Sequence, residues 1–116
     1  MARSERSIRR KDITELAREA WCRIWSDPMP QGWRVYMVRK TVIQQVFGRR
    51  VCGVTLRDRK TILIGRHTRR FSFETLVHEL VHLRTIDEKT DHGPLWKHEF
   101  DRVARPAFGV ELQRDI

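Results

Sequence analysis

The hydrophobic positions near the start of the chain recur at helical spacing. They are Ile13, Leu16, Ala17, Ala20, Trp21 and Ile24. This spacing brings them to one face of a helix. Asp12 and Glu15 have capping-box spacing, and Pro28 limits the helix at its other end. We therefore predict a first helix from about residue 12 to just before Pro28, preceded by a basic and flexible segment at residues 1–10.

The middle of the chain carries patterns typical of β-strands. Residues 33–38 alternate between apolar and polar side chains, and residues 50–56 and 60–64 indicate two further strands joined at 57–59. Residues 41–47 are ambiguous, because Gln44 and Gln45 interrupt their apolar side chains. The pattern predicts a small antiparallel sheet of about three strands.

The last third of the chain is predicted to be helical. Residues 73–85 are apolar around most of a helix circumference, which is typical of a buried helix, and Ser72 is a suitable N-cap. A charged loop at 87–91 precedes a final helix from Pro94 to about residue 104. We therefore expect an α+β fold in one domain at residues 11–116. The sheet should pack against the N-terminal helix and the apolar helix at 73–85, and the final helix should follow them.

The apolar helix carries the most informative motif of the chain, His78-Glu79-Leu80-Val81-His82. Histidines four residues apart lie on the same face of a helix, where both imidazoles can hold one metal ion. The glutamate after the first histidine is suitably placed to take a proton from a metal-bound water. Burial of these polar side chains without partners would be costly, and a metal removes that cost. The motif predicts a catalytic zinc site with Glu79 as the acid/base.

A catalytic zinc ion usually has three protein ligands and one open position. His92 is the favoured third ligand, because it lies just before the predicted final helix, where Gly93 permits a tight bend. Glu99 is the rival, since two histidines and a glutamate also form a known catalytic set. His98, or Cys52, would have to be a fourth ligand if the zinc were structural.

Two segments together resemble the SprT-like metalloprotease family, which includes Spartan. They are Thr75-Leu76-Val77-His78-Glu79-Leu80-Val81-His82 and His92-Gly93-Pro94-Leu95-Trp96-Lys97-His98. The resemblance is specific over about residues 60–105 and assigns His78, His82 and His92 as zinc ligands. It implies a zincin-like fold, one catalytic Zn²⁺ and hydrolysis of peptide bonds. The loop between His82 and His92 is short, and without a C-x-x-C pair we expect no zinc ribbon.

Family members of this kind cut proteins crosslinked to DNA, so the resemblance implies a DNA-associated protease with a protein or peptide substrate. The charge of the chain agrees with such a partner: 24 lysines and arginines against 15 acidic residues leave a net charge of +9, which favours a polyanion. We expect a basic rim beside the zinc cleft that contacts single-stranded or crosslinked DNA. Its members are Arg49, Arg50, Arg57, Arg59, Lys60, Arg66, Arg69 and Arg70.

Two alternatives remain open at this point. One is a small zinc peptidase unrelated to DNA, and the other is a non-catalytic nucleic-acid-binding protein with a structural zinc. Tyr36, His98 and Arg102 are candidates for stabilising the oxyanion, and Asp91 for orienting a ligand histidine. Cys22 and Cys52 lack zinc-ribbon or redox spacing. With no secretory signal and no membrane-spanning run, we expect a monomer in the cytoplasm, or near nucleoid or nuclear DNA, that is neither secreted nor membrane-bound.

Overall fold

The computed structural model describes residues 10–88, 92–103 and 109–116. The strands are β1 (Arg10–Asp12), β2 (Arg34–Val38), β3 (Gly53–Leu56) and β4 (Thr61–Gly65). The helices are α1 (Thr14–Trp25), α2 (Lys40–Phe47), α3 (Arg69–Arg84), α4 (Pro94–Val103) and α5 (Val110–Gln113). The fold is α+β, as the sequence predicts.

The four strands form one mixed sheet in the order β1-β2-β4-β3. Strand β2 is antiparallel to β1 and parallel to β4, with Val35 opposite Ile62 and Met37 opposite Ile64. Strand β3 is antiparallel to β4 and, within the described residues, occupies one edge of the sheet. Residues of β3 border the candidate site.

The sequence predicts an antiparallel sheet of about three strands, whereas the sheet has four strands and one parallel pair, β2 with β4. The ambiguous residues 41–47 belong to helix α2, so β2 and β4 are connected through α2 and β3 and can run parallel. The additional strand, β1, contains only Arg10, Lys11 and Asp12, all exposed. Such a short polar segment has no hydrophobic alternation, and only its pairing with β2 makes it a strand.

The hydrophobic core lies between the sheet and helices α1 and α3. Val35 and Ile62 are fully buried and directly paired, and the next inward pair, Met37 and Ile64, extends the same layer. Helix α1 contributes the apolar face predicted from its sequence, and α3 is buried around most of its circumference, as the apolar run predicts. This burial holds α3 at a defined position against the sheet.

Helix α3 begins earlier than the sequence pattern indicated. Its N-cap is Thr68, whose hydroxyl accepts a hydrogen bond from the Phe71 amide at 3.3 Å. Ser72, the expected N-cap, lies inside the helix and its hydroxyl accepts from the His67 amide at 2.8 Å. Both residue types can cap a helix. Thr68 is the N-cap here because the helix begins directly after the loop that follows β4.

The two ends of the chain extend the core. Residues 1–9 of the predicted flexible segment lie outside the described residues, whereas Arg10 pairs with Val38 in the sheet. The C-terminal residues Leu112 and Ile116 are buried against the core. Among the described residues, no helix has the length and apolar character needed to cross a membrane.

Candidate metal centre

Helix α3 presents His78 and His82 side by side at the surface of the core. Their positions four residues apart place the Nε2 atoms 3.2 Å from each other. Both rings are half-buried, while Leu76 and Leu80 are fully buried on the opposite side of the helix. Because the core holds this helix from behind, the two imidazoles are preorganised on one rigid element.

His92 approaches the same point from the segment before α4. Its Nε2 lies 2.9 Å from that of His82 and 3.1 Å from that of His78. The backbone of His92 is in the left-handed region, with a φ of 55°, which is uncommon for a residue with a side chain. A backbone held in this conformation is typical of a residue whose side chain must be aimed at a site.

The three Nε2 atoms form a triangle that hydrogen bonding cannot satisfy. Each imidazole nitrogen has either one proton or one lone pair in the ring plane, so three of them cannot all bond to one another. A cation at the centre would accept all three lone pairs. Tetrahedral coordination at about 2.0–2.1 Å would separate the nitrogens by about 3.3 Å, close to the observed triangle. The structure therefore brings together three histidines that can bind a metal ion.

The segment carrying His92 is fixed by a carboxylate at the start of α4. The two oxygens of Glu88 accept hydrogen bonds from the Leu95 amide at 2.9 Å and the Trp96 amide at 3.0 Å. A carboxylate stabilises these otherwise unpaired amides and the positive end of the helix. Gly93 leaves the space, since a Cβ there would lie 2.6 Å from Glu88 Oε2. Glu88 thus positions the backbone beside His92.

Aromatic rings cover the histidines on the α4 side. The Trp96 ring lies 4.7 Å from that of His78 and 4.4 Å from that of His92, between centroids. Phe100, one turn later, stacks on Trp96 at 4.8 Å with planes only 12° apart. These rings restrict the imidazole orientations and exclude water from one side of the triangle.

Glu79 is buried beside the triangle and is tied to strand β3. Its carboxyl accepts a hydrogen bond from the Thr55 hydroxyl at 3.0 Å, and Oε2 lies 3.8 Å from His78 Nε2. Close approach of β3 depends on Gly53, because a Cβ there would lie 2.9 Å from Thr75 Cγ2 and 3.2 Å from Glu79 Cγ. A glycine inside a strand can signal such an approach, but nothing in the sequence identified Glu79 as its neighbour.

The rival ligands are occupied elsewhere. Glu99 accepts hydrogen bonds from Trp25 Nε1 at 2.7 Å and from Arg102 at 3.0 Å. The Trp25 hydrogen bond, followed by that of Arg102, lowers the pKa of Glu99. His98 is exposed along a separate groove, and neither it nor Cys52 joins the histidine cluster among the described residues. Asp91, considered for orienting a ligand, lies outside the described residues.

The candidate oxyanion residues are not at the site. Tyr36 is in β2 with the Arg10 guanidinium 4.2 Å above its ring, and Arg102 pairs with Glu99. Neither these two nor His98 lines the cleft at the histidines. The sequence offered no spacing that relates these residues to the motif, so their placement depended on the fold.

A cleft of about 810 Å³ runs over the triangle between β3 and helices α3 and α4. Strand β3 forms one wall, α3 the floor, and Trp96 and Phe100 part of the other wall. Arg50 and Arg57 border it, and Arg57 donates a hydrogen bond to the Ile86 carbonyl at 2.7 Å. The cleft therefore runs alongside the extended backbone of β3, and helix α3 closes it behind the histidines.

The expected basic residues divide between the two ends of the sheet, and Arg50 and Arg57, one from each end, line the cleft. Arg57, Arg59 and Lys60 are at the β3–β4 turn. The other members lie near the opposite end, where β2 and β4 finish and β3 begins: Arg49, Arg50, Arg66, Arg69 and Arg70. Arg70 forms an ion pair with Glu74 at 3.2 Å. Strand β3 separates Arg49 and Arg50 from the turn at residues 57–60, and strand β4 separates that turn from residues 66–70.

Comparisons of this chain with models of protein families, with curated proteins and with solved structures give no match.

Proposed function

We propose that this protein is a zinc-dependent endopeptidase that acts in association with DNA. The convergence of three imidazole nitrogens next to one buried carboxylate is the observation that carries the proposal. Three histidines are a known ligand set of catalytic zinc. A structural zinc would need a fourth protein ligand, and the described residues bring none to the cluster.

His78, His82 and His92 would hold the ion through Nε2. When bound, zinc supplies a Lewis acid that polarises a carbonyl and makes water acidic near neutral pH. Glu79 acts as the general base by accepting a proton at its carboxylate from the attacking water. The same carboxyl then gives that proton to the leaving amine. The Thr55 hydroxyl donates a hydrogen bond to Glu79, so a residue of the strand that borders the cleft orients the base.

The edge strand β3 supports a peptide as the substrate. Its outer edge has no strand partner among the described residues, and residues 50–55 line the cleft. An extended peptide can add to such an edge through main-chain hydrogen bonds. This arrangement would place the scissile bond near Glu79, because Thr55 on the same strand touches it.

The test is cleavage of unfolded casein and of a fluorogenic peptide library by zinc-loaded wild type and Glu79→Gln. We expect Glu79→Gln to retain stoichiometric zinc and to lose about 100- to 10,000-fold in rate. Glu15→Gln, an exposed position on α1, is the matched control and should cleave normally. Normal cleavage by Glu79→Gln would contradict the assigned role, and zinc binding with no cleavage of any substrate by wild type would favour a binding protein.

A further inference from the structure

One end of the sheet brings together three segments that are distant in sequence. Strands β2 and β4 are parallel, so both finish at this end, and the antiparallel β3 begins there. The Arg66 amide donates to the Val38 carbonyl, and the Gly65 amide donates to the Cys52 carbonyl, both at 2.8 Å. The segments after β2, before β3 and after β4 are therefore neighbours.

These segments carry a set of unneutralised cations, which we call the basic end. Its members are Arg39, Lys40, Arg49, Arg50, Arg66 and Arg69. All six are exposed, and none has an acidic partner within the described part of the chain. Residues 39–52 and 65–73 contain no aspartate or glutamate. Like charges gathered at one end of the sheet repel one another, and a bound polyanion would relieve that repulsion.

Two exposed aromatic rings accompany the basic end. Phe47, the last residue of α2, is 38% exposed and precedes Arg49 and Arg50 by one short turn. Phe71, in the first turn of α3, is 40% exposed and follows Arg69. Exposed phenylalanines among cations are typical of surfaces on which unpaired bases stack.

We propose that the basic end, with Phe47 and Phe71, binds a single nucleic-acid strand. The cations contact phosphates, the two rings stack on bases, and the strand is bound without sequence preference. Arg50 and Phe71 also line the cleft, so the bound strand would lie beside its mouth. This inference deepens the proposed function by naming the surface that binds the nucleic acid. It rests on the proposed function only for the role that this binding serves.

The exposed rings distinguish this partner from two other polyanions. A duplex keeps its bases stacked inside and would leave Phe47 and Phe71 in contact with the sugar-phosphate backbone alone. An anionic membrane would attract the cations but offers no flat bases to the rings. The combination of cations with stacking rings is satisfied best by a single strand.

The first experiment measures binding of fluorescein-labelled oligothymidine by anisotropy, with zinc-loaded Glu79→Gln as the protein, between about 50 and 200 mM salt. We compare Arg49→Gln/Arg50→Gln with Arg59→Gln/Lys60→Asn, which removes the same charge at the opposite end of the sheet. Asparagine suits position 60, because Lys60 has a φ of 48°. We expect only the first pair to weaken binding, and the slope of log K against log salt to fall by about 0.7 for each phosphate that the variant no longer neutralises.

The second experiment tests stacking at Phe47. Phe47→Leu keeps an apolar side chain and removes the ring, whereas Phe47→Trp keeps a ring. We expect Phe47→Leu to lose affinity for oligothymidine by about 5- to 100-fold and Phe47→Trp to retain it. Equal binding by both variants would remove stacking from the proposal.

Three outcomes would overturn the proposal: equal losses in the two double variants, tighter binding of a duplex than of the single strand, or binding of phosphatidylserine vesicles without binding of oligothymidine. Each is measured with the Glu79→Gln protein and needs no cleavage. Failure of the surface is therefore separate from failure of the proposed peptidase activity, which the casein assay reports.

Discussion

The candidate metal centre is built from two regions that are secured in different ways. Helix α3 presents His78 and His82 by local periodicity, and buried aliphatic side chains hold it, each contributing about 1.5–3 kcal/mol. The segment around His92 has a left-handed backbone and is held by the two hydrogen bonds that Glu88 accepts. A rigid pair of histidines can therefore be completed by a third whose position depends on a few polar contacts.

The largest expected effect comes from removing a ligand on α3. His82→Ala should weaken zinc binding by about 1000-fold, equivalent to about 4 kcal/mol, because it breaks the preorganised pair. His92→Ala should lose less, since His78 and His82 stay aligned. Titration against a chromogenic zinc chelator measures both, with His98→Ala as the exposed control. Equal losses at positions 82 and 92 would contradict the difference between the two regions.

An intermediate effect is expected at Gly93. Gly93→Ala places a Cβ 2.6 Å from Glu88 Oε2, so the carboxylate must leave the α4 amides and the His92 backbone loses its support. We expect zinc affinity to fall by about 10- to 100-fold, as for other changes behind metal ligands. Circular dichroism should show the helices intact.

A double-mutant cycle isolates the interaction between Gly93 and Glu88. If the clash with Glu88 causes the loss, Gly93→Ala should have little additional effect in a Glu88→Ala background. Additive losses would show that position 93 acts by another route. Lys97→Ala, exposed on the same helix, is the matched control.

The smallest effect concerns the attachment of α4 to α1. Hydrogen bonds from Trp25 and Arg102 lower the pKa of Glu99 below its ordinary value of 4.5. A lowered pKa in the fold stabilises the protein above the ordinary pKa, and the contribution is lost as pH falls through the folded value. Glu99→Gln should therefore cost about 1 kcal/mol at neutral pH, and its difference from wild type should shrink below about pH 4.5.

Thermal unfolding of zinc-free wild type and Glu99→Gln measures this difference, because both proteins contain the same histidine cluster and its contribution cancels in the comparison. Glu15→Gln again serves as the control, because Glu15 is exposed on α1. A Glu99→Gln penalty that persisted unchanged to low pH would assign the loss to altered packing at Trp25.

Much of the site could be predicted from the sequence because its chemistry is local. The spacing of His78 and His82 and the apolar run around them define a buried helix with two histidines on one face. The sequence favours His92 over Glu99, and the structure brings only His92 to the pair among the described residues. The roles of zinc and of Glu79 remain predictions that the experiments above test.

Side-chain periodicity that repeats over several turns is sufficient to predict α1 and α3 from the sequence. Four features depend on tertiary packing: the parallel pairing of β2 with β4, the approach of Gly53 to Glu79, the Glu88 cap and the division of the basic residues. These features join residues far apart in the chain, and hydrophobic periodicity describes only which face is buried. Which partner covers that face depends on the packing of the whole core.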